Sequence, residues 1–145
     1  MTVKTETTFY KNFKKCLENG SKKYIVTRIE SYVTPGFPDC LIYHNDVGFF
    51  TVELKVVRRN KKGIGRVLVS AFQAAWNTLH MIHGAPVFIL IHDPGRESTK
   101  LFPSSKLLEL RDKDYDSVDG GLWTGDLGSR FAAELPKLLK LPNSH

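Results

Sequence analysis

The run Ala85-Pro86-Val87-Phe88-Ile89-Leu90-Ile91-His92 constrains the fold of this chain more than any other segment. It is almost continuously apolar yet only of strand length, so it reads as a strand buried on both faces, and such a strand requires a layer of structure on either side. Residues 49–57 behave differently. Their alternation puts Phe50, Val52, Leu54 and Val56 on one face and Thr51, Glu53 and Lys55 on the other, as in a half-buried strand. Before it, Gly36 and Pro38 set up a turn from which Asp39 opens a third strand over 39–43, and residues 24–33 read as the first. Helical spacing over 5–19 aligns Phe9, Phe13, Cys16 and Leu17, with Gly20 as the stop. A second helix over 69–83 carries Phe72, Trp76 and Leu79 on its apolar face. Ser70, Gln73, Asn77 and His80 lie opposite, where a solvated surface is the ordinary reading. The element order is αβββαβ, an α/β class. Beyond Pro94, residues 106–111 form a short helix, 112–121 an acidic, turn-rich loop, and 130–140 a closing helix interrupted by Pro136.

At 145 residues and 41% hydrophobic content the chain suits one domain spanning 1–145, with a core over about 5–92 and a C-terminal elaboration over about 93–145. A formal net charge of +6 favours an acidic partner such as nucleic acid. Cys16 and Cys40 lack CxxC spacing and read as thiols in a reducing compartment, with cytoplasmic location the default and no membrane partner.

The hairpin loop over 44–48 folds the second motif strand back so that Glu53 approaches Asp39, with Lys55 on the same face. Two carboxylates are hard ligands suited to Mg²⁺ or Mn²⁺, and a neighbouring ammonium can orient water or stabilise charge on a phosphate. The pattern points to metal-assisted phosphodiester hydrolysis. The plain alternative makes Asp39 a turn cap and Glu53 and Lys55 a solvated pair. Immediately after this strand, Arg58, Arg59, Lys61, Lys62 and Arg66 fall within nine residues, with Gly63 and Gly65 permitting a mobile loop. We read this loop as a DNA-backbone contact.

The ordered motifs Pro35-Gly36-Phe37-Pro38-Asp39, Phe50-Thr51-Val52-Glu53-Leu54-Lys55, Ser70-Ala71-Phe72-Gln73-Ala74-Ala75-Trp76 and Gly84-Ala85-Pro86-Val87 resemble those of the PD-(D/E)XK nuclease superfamily, in its VRR-NUC and Holliday-junction-resolvase-like branch. The resemblance spans about 34–92. It implies a restriction-endonuclease-like fold, a mixed central sheet flanked by helices, and metal-dependent DNA cleavage by in-line attack of water on phosphorus. It further implies that Asp39, Glu53 and the Leu54 carbonyl hold Mg²⁺ or Mn²⁺, that Lys55 positions the nucleophile, and that Gln73 sits beside the catalytic strands. Phe37 stands where archaeal-type resolvases carry a small hydroxyl residue, which favours the VRR-NUC-like side. The implied biology is recombination, repair or replication on branched DNA, in a stand-alone enzyme of a kind that viruses encode.

Glu6 has two readings. It lies on the stripe of Phe9 and Phe13 and either helps complete the metal site, as a first-helix Glu does in the resembled superfamily, or favours the positive end of its helix. His80 and His83 have no third partner at ligand spacing and read as structural. A homodimer is expected if both strands of a junction are cut, with Phe102, Leu107, Leu108 and Trp123 as interface candidates whose other role is to cover the domain's own sheet. The rival function is a catalytically silent nucleic-acid-binding module of the same fold.

Overall fold

The computed structural model describes residues 2–29 and 35–140. Helix α1 (Thr2–Gly20) leads into strand β1 (Tyr24–Arg28), and then come β2 (Cys40–His44) and β3 (Gly48–Val56). A small hairpin, β4 (Arg58–Arg59) and β5 (Gly65–Arg66), precedes helix α2 (Ala71–Ile82). Strands β6 (Val87–Asp93) and β7 (Ser98–Pro103), helix α3 (Leu107–Asp112), strand β8 (Trp123–Gly125) and helix α4 (Ser129–Lys140) follow. The order β1-β2-β3-β6-β7-β8 makes one six-stranded sheet. Only β3 and β6 run parallel, so the sheet is mixed, and the connection between them passes through α2.

Strand β6 is buried on both faces, as its composition requires. Phe88 and Leu90 enter one core with Phe9, Phe13 and Leu17 of α1 and Phe131, Leu135 and Leu139 of α4. Ile89 and Ile91 enter a second core with Val57, Val67, Phe102, Leu107, Leu110, Tyr115 and Val118. Phe50, Val52, Leu54 and Val56 all face the first core, in agreement with the alternation of residues 49–57. Phe102 and Leu107 are thus core residues, and the Trp123 ring lies 4.4 Å from that of Phe131. They cover the protein's own sheet. Of the four interface candidates only Leu108 is largely exposed.

Strand β1 is described over Tyr24–Arg28, and the expected continuation over 30–33 lies outside the described residues. Three local expectations are corrected. The basic segment is a hairpin rather than a loose loop. Helix α4 runs through Pro136 without interruption. Proline has no N–H to offer the carbonyl four residues back, Ala132, and that oxygen instead accepts the buried Tyr24 hydroxyl at 2.7 Å. Helix α2 is turned round. Phe72, Leu79 and Ile82 are 63%, 54% and 68% exposed, whereas Asn77 is buried and donates to the Ser104 carbonyl.

Candidate active site

The β2–β3 hairpin brings the two carboxylates together. Cys40 pairs with Val52, so one step further along the ladder Asp39 stands opposite Glu53. Asp39 Oδ2 accepts the Leu54 backbone N–H at 2.9 Å, which fixes its carboxylate against the residue between Glu53 and Lys55. Glu53 is only 6% exposed. Burial, then hydrogen bonding and repulsion from Asp39, push its pKa well above the ordinary value; Lys55 opposes the shift and Glu6 adds to it.

Gln73 joins the rest. Its Oε1 accepts the Lys55 ammonium at 2.8 Å and its Nε2 lies 3.4 Å from Glu53 Oε1. The same Oε1 takes the Ser70 N–H at 3.0 Å while the Gln73 N–H donates to Ser70 Oγ at 3.1 Å, a reciprocal cap on the first turn of α2. The side chain that aligns the lysine is therefore tied to a helix end. The Gly36 backbone, at φ 85°, packs so close to the Phe72 carbonyl and the Gln73 amide that a Cβ would overlap them. This contact seats the turn that carries Asp39 on the same helix end. Phe37 follows it, its ring 5.2 Å from Trp76.

Of the residues named from sequence, Asp39, Glu53, Lys55 and Gln73 converge, with the Leu54 backbone among them. Glu6 is exposed on α1 and reaches Glu53 through its charge. Arg58, Lys61, Lys62 and Arg66 are exposed on the β4–β5 hairpin that continues from β3. Arg59 differs from them: its guanidinium is committed to Asp93 and Asp116. His80 stacks on Trp76 at 3.6 Å. The sequence reading missed the parts played by Ser70 and Gly36, although Ser-x-x-Gln before an apolar helix is a capping signature. A cleft of about 560 Å³ between α1, the β6–β7 turn and the start of α4 lies apart from these carboxylates.

Among the described residues no three His, Cys, Asp or Glu side chains gather as a ligand set. The donors present nevertheless fit a hard divalent cation, since Mg²⁺ is commonly held by one or two carboxylates, completed by water and substrate phosphate. A buried carboxylate beside a second one is a like-charge arrangement that a cation relieves.

No protein-family model and no curated protein matches the chain. Among solved structures it is similar to Hjc, a Holliday junction resolvase of the archaeal hyperthermophile Archaeoglobus fulgidus, with 18% identity and a TM-score of 0.52 over 74% of this chain and 84% of that one. The likeness is one of fold: the chain has the mixed α/β architecture of that nuclease.

Proposed function

We propose that this protein is a metal-dependent DNA endonuclease of the PD-(D/E)XK type that acts on branched DNA. The observation that carries the reading is the Asp39, Glu53, Lys55 and Gln73 constellation, in which a buried glutamate lies beside a second carboxylate and a lysine held by a helix-anchored glutamine. Asp39, Glu53 and the Leu54 carbonyl would hold Mg²⁺ or Mn²⁺. Such an ion, when bound, offsets phosphate charge and acidifies a coordinated water. Lys55 orients the attacking water and stabilises charge developing on the phosphate. Gln73 fixes the ammonium, and Glu6 contributes negative potential at the edge of the site. The Gln73–Trp76 pair and Phe37 favour the VRR-NUC-like branch.

We also assign a two-fold homodimer. The outward stripe of α2 and the sheet face carrying Ile25, Leu41, Tyr43 and Phe49 lie on the same side of the sheet as Glu53. Ile25, Phe49, Phe72, Leu79 and Ile82 are each more than half exposed. They present on the order of 500 Å² of apolar surface, a large part of the ~800 Å² per partner of a stable interface. One part is a ridge and the other a hollow, as a self-complementary contact needs.

The test is incision of labelled duplex, nicked, flap, splayed-arm and four-way-junction DNA with Mg²⁺, Mn²⁺ or EDTA. Incision of branched substrates that requires metal and is lost in Asp39→Asn is the expected result. Binding without incision in either metal would leave only the silent module.

A further inference from the structure

The acidic stretch after residue 112 has no part in the function proposed above, yet it packs on the basic hairpin. Arg59, at the end of β4, has five N–H donors, and all five are occupied. Nε and Nη2 meet the two oxygens of Asp93, Nη2 and Nη1 meet the two oxygens of Asp116 at 2.9 and 3.0 Å, and Nη1 also meets the Gly63 carbonyl at 2.7 Å. No donor is left for a phosphate. Asp93 is 2% exposed, and Asp116 is further held by Arg96 at 2.9 Å.

Other ties fasten the same element. The Gly65 N–H donates to Asp114 Oδ1 at 3.1 Å, and Arg66 Nη1 donates to the Asp112 carbonyl at 3.1 Å. Within the tip, Asn60 Oδ1 accepts the N–H groups of Lys62 and Ile64. Gly65 lies so close to Val57 and Tyr115 that a Cβ would crowd both. Arg58, Lys61 and Lys62 are left exposed on this fastened frame. A strand rises about 3.3 Å per residue, so these cations stand no more than about 23 Å from Lys55, within reach of phosphates flanking the cleaved bond.

We propose that the β4–β5 hairpin is a stiff DNA-binding arm, clamped by Arg59 between Asp93 and Asp116, and that these acidic residues are required for DNA affinity. The inference rests on the DNA-nuclease reading above. An arm already in its bound shape loses little conformational freedom when phosphate arrives, whereas a released arm must be ordered at that moment. Carboxylates near a DNA-binding surface ordinarily weaken binding by repulsion. Here the clamp outweighs that repulsion.

The experiment measures equilibrium binding of labelled duplex and four-way-junction DNA in EDTA, over a range of salt, by the full chain and by Asp116→Asn, Arg59→Gln, their double variant and Arg58→Gln. Asp116→Asn raises the net charge and Arg59→Gln lowers it, yet both should weaken binding about fivefold or more, and the double variant should be no weaker than the weaker single one. Only Arg58→Gln should flatten the salt slope, by roughly 0.9 on duplex. Tighter binding by Asp116→Asn, or a flattened slope in Arg59→Gln, overturns the clamp. Amide exchange in the unaltered, DNA-free protein supplies a readout that needs no variant to fold: slow exchange at Ile64 and Gly65 is expected, and exchange at the rate of an open loop overturns the proposal. If the unaltered protein binds no DNA, the nuclease reading falls and the requirement for affinity with it, while the exchange rates still decide whether the arm is clamped.

Discussion

Glu53 is the residue in which stability and chemistry oppose each other. Its pKa is raised in the folded, metal-free protein, so the folded state retains a proton that the unfolded chain has already lost. Stability therefore falls as pH rises from the ordinary value of 4.5 through the raised one. Glu53→Gln should remove that slope and raise the melting temperature at neutral pH in EDTA, while abolishing incision. Thermal melts across pH check the first expectation and the substrate panel the second; an unchanged slope in the variant would show that another group titrates. Lys55→Ala should leave metal binding measurable and slow the chemical step by on the order of 10², as loss of an electrostatic stabiliser does. Lys55→Arg should not restore the rate, because a planar fork cannot replace a compact ammonium bonded to Gln73. Single-turnover kinetics under saturating metal separate these effects from binding.

Among the elements, α2 and α4 carry the lessons that periodicity alone could not supply. A stripe of Phe72, Trp76 and Leu79 announces an apolar face, but the spacing is the same whether the protein's own core or another surface covers it. Gln73 and Asn77 take the inward side because their partners are polar: Lys55 and Glu53 for one, the Ser104 carbonyl for the other. Strand β6 was legible because burial on both faces writes itself directly into composition, and the Asp39–Glu53 pairing because a short hairpin loop fixes the register. Arg59 was not legible. Its partners Asp93 and Asp116 lie 34 and 57 residues away, and a charge count cannot tell an internally paired cation from a free one. Ser70→Ala should destabilise the protein by about 1 kcal/mol through loss of the helix cap, and should also reduce turnover by loosening the first turn of α2, whose Gln73 N–H loses its acceptor. Ser70→Asp should recover both, as denaturant unfolding and incision rates can establish. In α4, Tyr24→Phe leaves the Ala132 carbonyl buried without a donor and should lower stability by about 1–3 kcal/mol without affecting cleavage. A neutral result would mean that water replaces the hydroxyl.

For the whole molecule, the sequence carried the α/β class and the order of the core elements, while the exposed apolar face assigned to the proposed dimer emerged only in three dimensions. Phe102 and Leu107 looked available in one dimension and proved to be core, whereas Ile25 and Phe49 lie on strand faces that no helix among the described residues covers. Phe49→Lys together with Leu79→Lys should convert the proposed dimer to a monomer in sedimentation at micromolar concentration. The variant should still nick flaps singly but lose paired incision of a four-way junction. A wild-type monomer that nicks singly would retain the nuclease assignment and remove the resolvase one.

The parallel pairing of β3 with β6 has one further consequence, in the order of events during folding. Strands β1 to β3 form one antiparallel meander and β6 to β8 another, each held by contacts between strands adjacent in the chain, whereas Thr51 meets Val87 only across the α2 crossover. Contacts that close long loops form late. Asp39 and Glu53 belong to the first meander, but the glutamine that aligns Lys55 arrives with the crossover helix. A chain folded only as far as the first meander would hold its carboxylates without an aligned lysine, so under the proposed function cleavage would await the docking of the crossover helix.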